Sequence, residues 1–87
     1  MPWRRHPDAT VDEVGGELVL AQVARGTLYR LNASGRAIFR QLERGRTVAE
    51  LAAALAPELG VAPERVARDA EKLIGELVAG GLLAEVA

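Results

Sequence analysis

Apolar residues in this 87-residue chain follow two rhythms, with the change at about residue 32. Before it they sit in short runs separated by Gly-containing breaks; after it they recur every three or four positions. Thr10–Val14 reads as a short strand, Gly15-Gly16 as a turn, and Glu17–Ala24 as a longer β-rich run. That run is apolar at both parities for part of its length, which suits a central strand. Arg25-Gly26 marks another turn before Thr27-Leu28-Tyr29-Arg30-Leu31. The first third thus predicts a three-stranded antiparallel meander whose last strand is, by elimination, an edge.

Asn32 is a good N-cap for the helical pattern that begins at Ala33, in which Ala37, Ile38, Phe39 and Leu42 recur before Gly45. Thr47-Val48-Ala49-Glu50 has the spacing of a capping box. Val48, Leu51, Ala52, Leu55 and Leu59 follow as a second amphipathic stripe, bent or stopped near Pro57 or Gly60. Pro63 opens a third helix that runs to Ala79, with Val66, Ala70, Leu73 and Leu77 on one face and Arg65, Asp69, Lys72 and Glu76 in a charged row beside it. Gly80-Gly81 ends it, and Leu82–Val86 is an extended tail that covers the core. The order βββααα predicts an α+β domain with its helices on one side of a small sheet. Residues 1–9, with two prolines and no periodicity, form an extended lead-in to a domain of residues 10–87, with Trp3 packing back onto it.

Charge and composition remove several function classes. Eleven basic and 12 acidic residues give a formal charge of −1, so no strong field draws the chain to nucleic acid or to an anionic membrane. There is no cysteine, and the single histidine, His6, lies beside Pro7 in the lead-in. Ser34 and Thr47 read as first-turn and cap residues, and no glycine-rich phosphate loop occurs. The expectation is a non-enzyme with no catalytic residue, metal or cofactor. No run approaches the ~20 apolar residues of a membrane span, and no apolar segment follows Arg4-Arg5 as in a secretory signal. A cytoplasmic location is expected.

What remains is the third strand. An unpaired strand edge is a template for another extended segment, so peptide capture is the predicted activity. Self-pairing into a dimer would use the same edge. A winged-helix DNA binder is the rival from another class, but the third helix mixes Glu64, Asp69, Glu71 and Glu76 with Arg65, Arg68 and Lys72.

The meander, the strand ending in Leu31-Asn32, the first helix Ala33-Ser34-Gly35-Arg36-Ala37-Ile38-Phe39, the stretch Gly45-Arg46-Thr47-Val48-Ala49-Glu50-Leu51, and the third helix with Asp69, Leu73 and Leu77 closing on Gly80-Gly81-Leu82-Leu83 together resemble PqqD-like proteins. The resemblance covers residues 15–86. It implies a winged helix-turn-helix-like fold and a recognition element for ribosomally made, modified peptides of bacteria. Such an adaptor binds a precursor leader peptide as an added antiparallel strand and delivers it to a separate enzyme. The chain is most similar to the freestanding leader-binding proteins of lasso-peptide pathways, which implies a cysteine protease-like leader peptidase as partner. Members of the quinone cofactor pathway, which present a precursor to a radical SAM enzyme, carry a Pro-Glu-Gly-like turn where this chain has Ala24-Arg25-Gly26.

Carried over by position, the resemblance selects Thr27, Leu28, Tyr29, Arg30 and Leu31 for backbone pairing, and Val66, Asp69, Ala70, Leu73 and Leu77 for the groove wall. Leu28, Leu31 and Leu73 also suit a plain core role. Leu28 and Leu31 have opposite parity, so one is expected to line a groove while the other seals the core. Tyr29 shares the parity of Leu31 and suits a groove rim. The charged row reads either as a solvated face or as the groove edge that chooses register.

Overall fold

The computed structural model describes residues 3–85. In chain order these form β1 (Trp3–Arg5), β2 (Thr10–Val14), β3 (Glu17–Gln22), β4 (Thr27–Leu31), α1 (Ala33–Glu43), α2 (Val48–Leu59), α3 (Pro63–Ala79) and β5 (Leu83–Glu85). The meander is present, with strand order β2-β3-β4 and both pairings antiparallel. On β3 the alternation is strict: Leu18, Leu20 and Gln22 are buried on one face, and Glu17, Val19 and Ala21 are half-buried on the other. The strand stops at Gln22, two residues short of the apolar run, because Val23–Arg25 coil into one 3₁₀ turn closed by Gly26 at φ 65°. That left-handed residue lets the chain reverse so that Gln22 faces Thr27 in the hairpin.

The helices begin and end where side-chain chemistry dictates. Asn32 Oδ1 accepts from the Gly35 amide at 3.0 Å, satisfying an orphan donor of α1. At α2 the capping box is complete: Thr47 Oγ1 accepts from the Glu50 amide at 3.2 Å, and Glu50 accepts from the Thr47 amide at 2.9 Å. Helix α2 passes through Pro57 and ends at Gly60, since a proline this close to the C-terminus forfeits a single helical bond. Helix α3 ends in a Schellman turn, with Leu82 donating to the Leu77 carbonyl at 2.8 Å and Gly81 to that of Val78 at 3.1 Å.

Phe39, Leu42, Leu51, Leu55, Val66 and Leu77 pack with Leu18 and Leu20 in a core where these side chains have essentially no exposed surface. All three helices contribute to it from the inner face of the sheet, which fixes α1 and α3 beside β4. Residues 3–5, expected as extended lead-in, are a strand: β1 pairs antiparallel with β5, Arg5 opposite Leu83, in a separate two-stranded sheet. Trp3 packs against the core. The His6 amide extends this pairing to the Leu82 carbonyl at 3.0 Å, and Arg5 meets Glu43 of α1 at 3.0 Å. Leu82 and Leu83 are buried and cover the core; Val86, expected in the same tail, lies outside the described residues. No helix among the described residues is long and apolar enough to cross a membrane.

Candidate peptide-binding groove

Strand β4 has β3 on one side and, among the described residues, no strand on the other. The C-terminal strand β5 does not occupy this edge, because it pairs with β1. Half of the backbone groups of an edge strand point away from the sheet, so β4 offers donors and acceptors to a further strand.

Beside that edge lies a furrow of about 540 Å³. Tyr29, Arg30 and Leu31 form its β4 wall; Asp69, Lys72, Leu73 and Glu76 form its α3 wall. Ile38 of α1 and the capped N-terminus of that helix, at Asn32, Ser34 and Gly35, complete its lining. The two walls run antiparallel. Thr27 lies against Gly80, the Tyr29 hydroxyl donates to the Glu76 carboxylate, and Leu31 shares the furrow with Leu73. Past Ser34, Ile38 and Asp69 the furrow continues into a smaller depression of about 120 Å³ that Val61, Arg65 and Val66 help to line.

Parity on β4 decides which face of the sheet each side chain takes. Thr27, Tyr29 and Leu31 point to the inner face and Leu28 and Arg30 to the outer, as their pairing with Gln22, Leu20, Leu18, Ala21 and Val19 requires, and Arg30 borders the furrow from its outer rim. Leu31 is 3% exposed and both lines the furrow and belongs to the core; Leu28, 69% exposed, does neither. The expected division of labour between the two leucines is therefore not what the fold adopts. Of the ten residues picked from the sequence, Tyr29, Arg30, Leu31, Asp69 and Leu73 come together around the furrow. Val66 stands in the adjoining depression, while Thr27 and Leu28 lie on the edge strand outside the furrow's lining. Ala70 and Leu77 have no exposed surface and sit behind the α3 wall, supporting it without facing a ligand.

Glu17, Asn32, Ser34, Gly35, Ile38, Lys72 and Glu76 line the furrow and are not among those ten, though Lys72 and Glu76 belong to the charged row for which a groove edge is one reading. The hairpin register holds the signal for Glu17: Leu18 opposite Leu31 places Glu17 at the same end of the sheet as Asn32. Ser34 and Asn32 were legible as first-turn and cap residues, and a cap that ends an open edge strand also borders whatever pairs there.

The charged groups of the furrow are unevenly engaged. Arg30 and Glu17 form an ion pair at 2.7 Å. Tyr29 has its hydroxyl pushed above the ordinary tyrosine range, first by the hydrogen bond to Glu76, then by partial burial and by the carboxylate's charge. Asp69 and Lys72 have no ion pair or side-chain hydrogen bond among the described residues. There is also no cluster of three or more His, Cys, Asp or Glu among the described residues to hold a metal. What the arrangement offers is a backbone edge, an apolar floor and a charged rim, the requirements for holding an extended peptide.

The family model for Coenzyme PQQ synthesis protein D (PqqD) matches residues 17–83, from the start of β3 to the start of β5. The chain belongs to the PqqD family. The match includes β4, α1 and α3, all the elements that build the furrow. Two solved structures are similar over nearly their whole length. One is TbiB1 in complex with the TbiA(beta) leader peptide, 27% identical, covering 97% of this chain and 98% of that one, with a TM-score of 0.84. The other is lasso peptide synthetase B1 complexed with the leader peptide, 25% identical, covering 98% and 100%, with a TM-score of 0.88. No curated protein matches the sequence.

Proposed function

We propose that this PqqD-family chain is a non-catalytic adaptor of lasso-peptide biosynthesis that binds the leader of a precursor peptide. The observation that carries the reading is the open edge of β4 beside a furrow walled by α3. It is supported by the two similar structures, each a complex with a leader peptide. The leader adds as a strand antiparallel to β4. Its inward side chains enter the furrow beside Leu31 and Leu73, and the complex is presented to a separate, cysteine protease-like leader peptidase.

The magnitudes suffice. Four or five backbone hydrogen bonds at a net ~0.5–1.5 kcal/mol each, with two or three apolar anchors at ~1.5–3 kcal/mol, outweigh an association cost of at least ~4 kcal/mol. The surplus corresponds to micromolar to nanomolar dissociation constants. The test is fluorescence anisotropy with labelled leader segments of lasso-peptide precursors. Saturable binding that is abolished by N-methylation of alternate leader amides is expected; binding indifferent to every N-methyl group contradicts strand addition. Adding the peptidase to the preformed complex should speed leader cleavage over the peptidase alone.

A further inference from the structure

Four of the six titratable side chains around the furrow are already engaged with one another, Glu17 with Arg30 and Tyr29 with Glu76. Asp69 and Lys72 are the two without an ion-pair or side-chain hydrogen-bond partner among the described residues, and both are exposed on the α3 wall. They stand three residues apart, a rise of about 4.5 Å along the helix. Inward-facing positions of an extended peptide recur every ~6.6 Å. The mismatch of about 2 Å is within reach of flexible Lys, Arg and Glu side chains, so two successive inward positions can meet the two charges.

Direction follows from the antiparallel walls. Asp69 lies at the Ser34 end of the furrow, and Glu76 meets Tyr29 toward the other end. A strand antiparallel to β4 therefore passes Asp69 first and Lys72 second. The geometry points to a charge-order filter: the furrow selects an extended peptide with a basic side chain facing Asp69 and, two residues nearer the peptide's C-terminus, an acidic one facing Lys72. The inference rests on the strand-capture reading above and adds what that reading lacks, a means of fixing register. Backbone pairing tolerates a two-residue slip, which keeps the same side chains inward. Such a slip carries the peptide's acidic residue to Asp69 or its basic residue to Lys72, so the charges resist what the ladder permits.

The test is selection of a displayed library of random 12-residue peptides on the wild-type chain and on the exchange variant Asp69→Lys/Lys72→Asp. Both positions are exposed, so the exchange leaves the core intact. Peptides from the wild-type selection should carry Lys or Arg two positions before Asp or Glu, and those from the exchange variant the reverse order. Two synthetic peptides differing only in that order should then differ in affinity by about tenfold on the wild type, since each exposed pair contributes roughly two- to fivefold. The gap should shrink as salt is raised. Enriched peptides with apolar anchors but no charge order overturn the filter and leave strand capture standing. Failure to enrich any peptide overturns strand capture and the filter with it.

Discussion

The Gln22 side-chain amide donates to the Gly81 carbonyl at 2.6 Å, joining the end of β3 to the turn that closes α3 across 59 residues of sequence. Gln22 is the one polar residue among the described side chains that is buried. Its bond holds the C-terminal end of α3 against the sheet, near the contact of Thr27 with Gly80. The separation of the furrow's walls thus depends on it. Gln22→Leu leaves the Gly81 carbonyl buried without this partner and should lower stability by ~1–3 kcal/mol in urea unfolding. Leader affinity should fall in the variant even under conditions where it remains folded.

Gly81 is constrained from both sides of the same contact. Its φ of 72° disfavours any L side chain, and an added Cβ would overlap the Gln22 amide nitrogen and the Arg25 guanidinium. Gly81→Ala should therefore cost about 1–3 kcal/mol in thermal or urea unfolding. Gly75→Ala, where a Cβ meets nothing within 4 Å and the backbone is helical, should be neutral or mildly stabilising.

Tyr29 is the only tyrosine, so its ionisation can be followed by ultraviolet absorbance without ambiguity. The bond to Glu76 holds the phenolic proton and raises the folded-state pKa above the unfolded value of 10.0. The stability that bond provides is complete below pH 10 and is lost as pH rises through the higher folded value. Glu76→Gln should bring the tyrosinate midpoint back toward 10. An unchanged midpoint would show that the hydroxyl does not depend on this carboxylate.

The α3 wall of the furrow and the outer face of β4 give a paired test. Leu73→Ala should weaken leader binding roughly tenfold or more, because it removes an apolar anchor of ~1.5–3 kcal/mol from the α3 wall. Leu28→Ser lies on the outer face of the sheet and should change stability by less than ~0.5 kcal/mol. Its leader affinity should stay close to that of the wild type in the same titration.

Much of this fold was legible because local chemistry and hydrophobic period agreed. Asn32, Thr47 with Glu50, Pro63 and Gly81 set helix ends through contacts made within a few residues, which sequence spacing encodes directly. The β1–β5 pair was not legible as strands: three residues of Trp-Arg-Arg carry no alternation, and their partner lies about 80 residues away. At the furrow, backbone position could be read but depth could not. Ala70 and Leu77 share a helical stripe with Leu73, yet a stripe wider than the furrow puts its centre in the core and leaves Leu73 at the margin. The same limit applied to Leu28, whose outward direction is set by the Ala21–Leu28 register and by β4 being the last strand.

Residue-resolved amide hydrogen exchange over Thr27–Leu31, with and without saturating leader peptide, tests strand addition most directly. In the free protein the amides on the open side of β4 should exchange readily while those bonded to β3 are protected. Leader binding should slow the readily exchanging set, every second residue, and leave the others nearly unchanged. A leader that binds tightly yet leaves all five amides exchanging as before would contradict the account.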